Sequence, residues 1–121
     1  MAKTLRMDSL AIAITKELSE YTEEVQKEVE EIAKDVAEKS ATKLVENSPD
    51  RTGGYKKGWT VRKVKDGYEV YNKTKPHLTH LLEKGHAKIN GGRTDPIPHI
   101  APVEEEAVAE FNKRMEEAIS K

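Results

Sequence analysis

At 121 residues the chain has room for one hydrophobic core and not for two, so it reads as a single domain over 1–121. Apolar residues supply 36% of it, aromatics 5% and charged residues 36%, a balance that suits a thin two-layer domain and argues against a deep, enclosed active site. The absence of cysteine excludes disulfides and thiolate metal sites, and the net charge of −1 conceals three blocks: 7 Lys/Arg against 12 Asp/Glu over 1–50, 11 against 3 over 51–93, and 3 against 7 over 94–121.

Residues 1–14 are too short and too polar for a signal peptide or a membrane span, with Lys3, Arg6 and Asp8 interrupting their apolar patch. The expectation is a soluble protein made in the cytoplasm. From Leu10 onward, Ile14, Leu18, Tyr21, Val25, Val29, Ile32, Val36, Ser40 and Leu44 recur at spacings of three and four, which predicts helix over 9–47. The opposite face carries Glu20, Glu24, Lys27, Glu28, Glu31, Lys34, Asp35 and Glu38 and is acidic on balance. Asn47, Ser48 and Pro49 stop the helix, since the residue before a proline is pushed out of the helical region. Unbroken, it would be roughly 57 Å long at about 1.5 Å per residue, too long for a domain of this size. A break is therefore expected at 19–22, with Thr22 capping a second helix ahead of Glu23 and Glu24, together with a neighbouring subunit over part of the stripe.

Turn residues fill 50–58, after which the period becomes two. A hairpin is predicted over 57–73, turning at Asp66 and Gly67, with Trp59, Val61, Tyr68 and Val70 on the core face and Arg62 and Tyr71 on the other. A short helix over 76–84 follows, opened by Pro76 and closed by Gly85, with Leu78, Leu81 and Leu82 inward. The span 86–96, with two glycines and a single large apolar residue, Ile89, reads as a mobile loop. Prolines hold 97–101 extended, and a last helix is predicted over 102–120 with Val108, Phe111, Met115 and Ile119 as its buried stripe. The fold class is α+β: a long N-terminal amphipathic helix and a C-terminal helix on a small antiparallel sheet.

Two kinds of chemistry compete with a purely structural reading. His77, His80 and His86 suggest a metal-dependent hydrolase, but a zinc protease helix places its histidines four apart with a glutamate after the first, and Leu78 occupies that place. No metal, cofactor or catalytic residue is assigned. Lys56, Lys57 and Arg62 give the hairpin a basic face that suits a nucleic-acid-binding module, although Trp59, the aromatic residue among them, is turned to the core.

Several segments in order resemble the tail-completion, or head-to-tail joining, family of long-tailed bacteriophages and prophages. They are Thr52 and Gly53 with Tyr55, Trp59 opening a strand, Val70 and Asn72 closing the hairpin, Leu81, Leu82, Glu83 and Gly85, and then Pro96, Pro98, His99, Ile100 and Pro102 leading into the last helix. Pro76, His77 and His86 depart from the family pattern. The resemblance implies a structural, non-enzymatic virion subunit with structural roles for Thr52, Gly53, Trp59, Asn72, Glu83, Gly85, Pro98 and Pro102. It implies assembly in the host cytoplasm as a ring, hexameric in expectation, at the head–tail interface of the virion. Its partners would be copies of itself, a head-completion or connector protein and the major tail protein, with nonspecific contact to DNA in the lumen and no membrane. The loop residues Lys88, Ile89, Asn90 and Arg93 are the expected assembly contacts.

Overall fold

The computed structural model describes residues 9–14, 20–49, 54–76, 79, 82–83, 91–92, 95 and 98–120. Strand β1 (Ser9–Ala13) is followed by helix α1 (Glu23–Asn47), a 3-10 turn (Lys56–Gly58), strands β2 (Trp59–Val64) and β3 (Gly67–Asn72), and helix α2 (Ile100–Ile119). The class is α+β, as the sequence indicates, but the helix expected over 9–47 is not continuous. Its first part is a strand, because Leu10 and Ile14, four apart, fit period two as well as the start of a helical stripe, and Ile12 between them fits period two alone. Pairing with β3 decides the matter: Leu10 lies opposite Val70 and Ile12 opposite Tyr68, and both are fully buried there.

The expected break falls where the capping chemistry places it. The Thr22 hydroxyl accepts the Val25 amide at 3.2 Å, and Glu23 and Glu24 occupy the positive end of the helix. At the other end the Ser48 amide and hydroxyl both donate to the Leu44 carbonyl, and Pro49 follows. The buried face of α1 is Val29, Ile32, Ala33, Val36, Ala37, Ser40 and Leu44. Tyr21, expected in that stripe, precedes the cap and is 41% exposed, because the helical phase starts only after it.

The sheet order is β1-β3-β2, all neighbours antiparallel, so β1 and β2 run parallel with α1 between them and β3 inserted as the central strand. The β2–β3 turn is Lys65 and Asp66, and Gly67 already pairs with Val64. The register therefore differs by two residues from one that turns at Asp66 and Gly67. A two-residue shift preserves face assignment. Trp59 and Val61 face the helices with Tyr68 and Val70, and the Arg62 guanidinium lies 4.2 Å from the Tyr71 ring on the outer face.

Helices α1 and α2 run antiparallel on the inner face. Three contacts four residues apart mark their seam: Lys43 to Glu106 at 2.7 Å, Lys39 to Glu110 at 3.3 Å, and Arg114 to Asp35 at 2.7 Å. The two lysine pairs are solvent-exposed, each worth on the order of 0.2–1 kcal/mol, and the Arg114 pair is half-buried, so together they set the register of the helices more than they hold them. The buried residues form one cluster shared by the sheet and both helices. Helix α2 begins two residues earlier than expected, and its buried line is Ile100, Val103, Ala107, Phe111 and Ala118. Of the expected stripe only Phe111 is fully inside; Val108, Met115 and Ile119 are half-buried.

Of the predicted short helix, Pro76, Thr79, Leu82 and Glu83 are described and helical. Of the predicted loop, Gly91 and Gly92 are exposed bends with φ of 94° and 77°, a left-handed backbone that glycine adopts without steric cost.

Candidate functional site

The sequence segments that bracket the core converge on a buried polar knot. The Glu83 carboxylate accepts the backbone N–H groups of His99 at 2.8 Å, Ile100 at 2.9 Å and Ala101 at 3.0 Å, and the His99 ring Nδ1 lies 3.0 Å from it. Helix α2 has no Ser, Thr, Asp or Asn at its N-cap, where His99 sits, so its first amides need acceptors from elsewhere. Glu83 supplies them, and the fourth position of that first turn is Pro102, which has no N–H to satisfy. The whole set of orphan donors is thus accounted for by one carboxylate and one proline.

From His99 the network continues inward. Its Nε2 lies 2.6 Å from the Tyr55 hydroxyl, and the Tyr55 ring packs edge-on against both Trp59 and His99. An ionised carboxylate can only accept, so Nδ1 carries the proton facing Glu83, and in the neutral ring Nε2 accepts the Tyr55 hydroxyl. Trp59 Nε1 donates to the Ser48 hydroxyl at 2.7 Å, which ties the start of β2 to the end of α1. Asn72 donates to the Tyr55 carbonyl at 2.7 Å and accepts the Lys75 amide at 2.9 Å. Gly58 passes so close to Asn72 and Thr74 that a Cβ there would collide with both side chains.

Electrostatics follow from this geometry. Burial raises the Glu83 pKa, but the three amides and the His99 ring outweigh burial and hold it below the usual carboxylate value. Burial, with the Glu83 charge second, pushes the Tyr55 hydroxyl well above its ordinary value. The order carboxylate, imidazole, hydroxyl is that of a proton relay, yet Glu83, His99 and Tyr55 are 5%, 2% and 2% exposed and every polar atom points to a protein partner. This is the arrangement of a structural clamp joining α1, the hairpin and α2, with no room for a substrate.

The basic hairpin face is less free than its composition suggests. Arg62 pairs with Glu69 on β3 at 2.5 Å, and Lys63 reaches Glu30 of α1 at 2.7 Å. Lys57 is exposed and Lys56 half-buried. Of the residues singled out from the sequence, Trp59, Asn72 and Glu83 lie in the knot, Pro98 is exposed just before it, and Pro102 is in the first turn of α2. Thr52, Gly53, Gly85, Lys88, Ile89, Asn90 and Arg93 lie outside the described residues, as do His77, His80 and His86. From the sequence Ser48 is expected only as part of a helix stop, and Tyr55 and His99 only as residues of the ordered motif; their hydrogen bonds within the knot escaped the sequence reading. One signal was present: a helix opening without a capping residue of its own must find a cap elsewhere in the chain.

No described helix is long and apolar enough to cross a membrane. No curated protein and no solved structure shows significant similarity to the chain. A family model does match: the family described as "Bacteriophage HK97-gp10, putative tail-component", over residues 12–85.

Proposed function

Since that match covers more than half of it, the chain belongs to the HK97-gp10-like family of phage tail components, and from this premise we propose that it joins the tail to the head by forming a ring at the top of the tail tube. The family match is the observation that carries the reading. It is supported by the order of the motif residues from Trp59 to Glu83, which the fold uses to hold its elements together, and by a charge distribution segregated enough to direct contacts between copies.

In this role the subunit acts without catalysis, through surfaces. One side of the ring meets a head-completion or connector protein and the other the major tail protein, with DNA passing through the lumen and touching it only through nonspecific phosphate contacts. The ring is a hexamer in this reading, as the family resemblance implies, and the virion's head–tail interface is its final location after assembly in the host cytoplasm. The loop 86–96, with Lys88, Ile89, Asn90 and Arg93, supplies contacts to an adjacent ring or to the lumen. The test is genetic and visual. Inactivating the gene in the phage should leave filled heads and complete but separate tails by electron microscopy, with joining restored by added protein. Joined virions at the normal yield without the protein would overturn the proposal.

A further inference from the structure

The described chain divides into two surfaces of opposite sign. Helix α1 carries eight carboxylates against four lysines and α2 six against two cations, while 56–75, the 3-10 turn with the hairpin, carries seven cations against two carboxylates. Glu24, Glu31 and Glu38 are spaced by seven residues and all exposed, so they form one row along α1; Glu105 and Glu116 are exposed on α2. Inside one molecule the two surfaces meet where Lys63 pairs with Glu30 and where Glu38 borders the groove beside β2. Lys57, Lys65 and Lys73 remain exposed on the hairpin side.

The hairpin side also ends in an edge. Among the described residues β2 pairs only with β3, and the Lys73 amide donates to the Gly58 carbonyl at 2.8 Å. Hydrogen-bonded pairs alternate in an antiparallel ladder, so 60, 62 and 64 bond to β3 while the backbone groups of Val61 and Lys63 point outward. They open onto a groove between β2 and α1 lined by Lys34, Glu38, Val61, Arg62, Lys63 and Tyr68. Such an edge invites a neighbour, yet two copies meeting edge to edge would bring Lys57, Arg62, Lys63 and Lys65 of each against those of the other. Like charges opposed in this way are unfavourable, and lysines on an edge are a common guard against self-pairing.

We propose that the occupant of this surface is the acidic helical face of a second copy, so that copies join head to tail with the β2 side of one against the Glu24–Glu31 row of the next. A contact between two different patches repeats around a ring if its rotation closes, whereas a contact of one patch with itself stops at a dimer. The contact rests on the ring reading above and specifies which surfaces form it.

The chain has no cysteine, so introduced pairs report cleanly. Lys57 lies near the Ser48 end of α1 and Glu31 about 26 Å away along that helix at about 1.5 Å per residue, beyond the roughly 7 Å Cα separation a disulfide can span. The Lys57→Cys/Glu31→Cys protein, oxidised at low salt, should give a ladder of disulfide-linked multimers on a non-reducing gel. Either single variant should stay monomeric on that gel, and raising salt should thin the ladder. A double variant that remains monomeric, or a Lys57→Cys protein that dimerises as readily, would overturn the contact. Equal disulfide yields with short DNA duplexes required for assembly would reassign the basic side to nucleic acid and overturn it too. Joined tails and heads that show a ring but no link between these cysteines would sink only this contact and leave the tail-joining role standing.

Discussion

The Glu83 carboxylate meets four donors at once, three amides at the start of α2 and the His99 ring, while being almost fully buried. Replacing it by alanine leaves those amides without acceptors in a site that excludes water, and each orphaned donor costs about 1–3 kcal/mol. Glu83→Ala should therefore lower stability by about 3 kcal/mol or more in chemical denaturation, more than any exposed carboxylate of α1 replaced in the same way. The pH dependence has a definite sign. Because the folded state holds the Glu83 pKa below its ordinary 4.5, its stabilisation is complete above that value and is lost as pH falls through the folded-state pKa. Wild type should lose stability in acid more steeply than Glu83→Gln, and parallel acid profiles for the two would contradict the clamp. Gly58 is a second sensitive position. Gly58→Ala forces Asn72 or Thr74 aside, and a loss of about 2 kcal/mol or more is expected.

At the scale of elements, β1 and the α1–α2 seam make opposite demands. Strand β1 contributes two fully buried side chains, so Ile12→Ala should cost about 2–4 kcal/mol, whereas Ala11→Ser, at a half-buried position one residue away, should cost little. Comparable effects at 11 and 12 would argue for a helix there. The Lys43–Glu106 pair of the seam is exposed, so removing Lys43 should cost less than about 1 kcal/mol, and the difference should shrink further in high salt. The helices are held by Ala33, Val36, Ala37, Val103, Ala107 and Phe111 beneath the pairs.

For the whole molecule, one buried cluster is shared by the sheet and both helices, so a single cooperative thermal transition is expected, with helical circular dichroism and Trp59 fluorescence changing together. Two resolved transitions would instead divide the chain. The assembly loop belongs to this scale as well: deleting 89–94 should leave that transition in place while abolishing head-to-tail joining, since the α2 cap lies on either side of the deletion and not within it.

The sequence by itself determined what depends on neighbours along the chain. The cap at Thr22, the stop at Ser48 and Pro49, the inward face of the hairpin and the start of α2 near Pro102 follow from local capping, turn and alternation rules, and the order of the motif residues pointed to the family. Only the tertiary structure decided that Leu10 and Ile12 lie on a strand, since the spacing of Leu10 and Ile14 suits both periods and pairing with the open edge of β3 is what buries Ile12 beside Leu10. The same holds for the Glu83 clamp: its donors come from residues 16–18 positions further along, and no local rule reports which distant carboxylate will meet an uncapped helix.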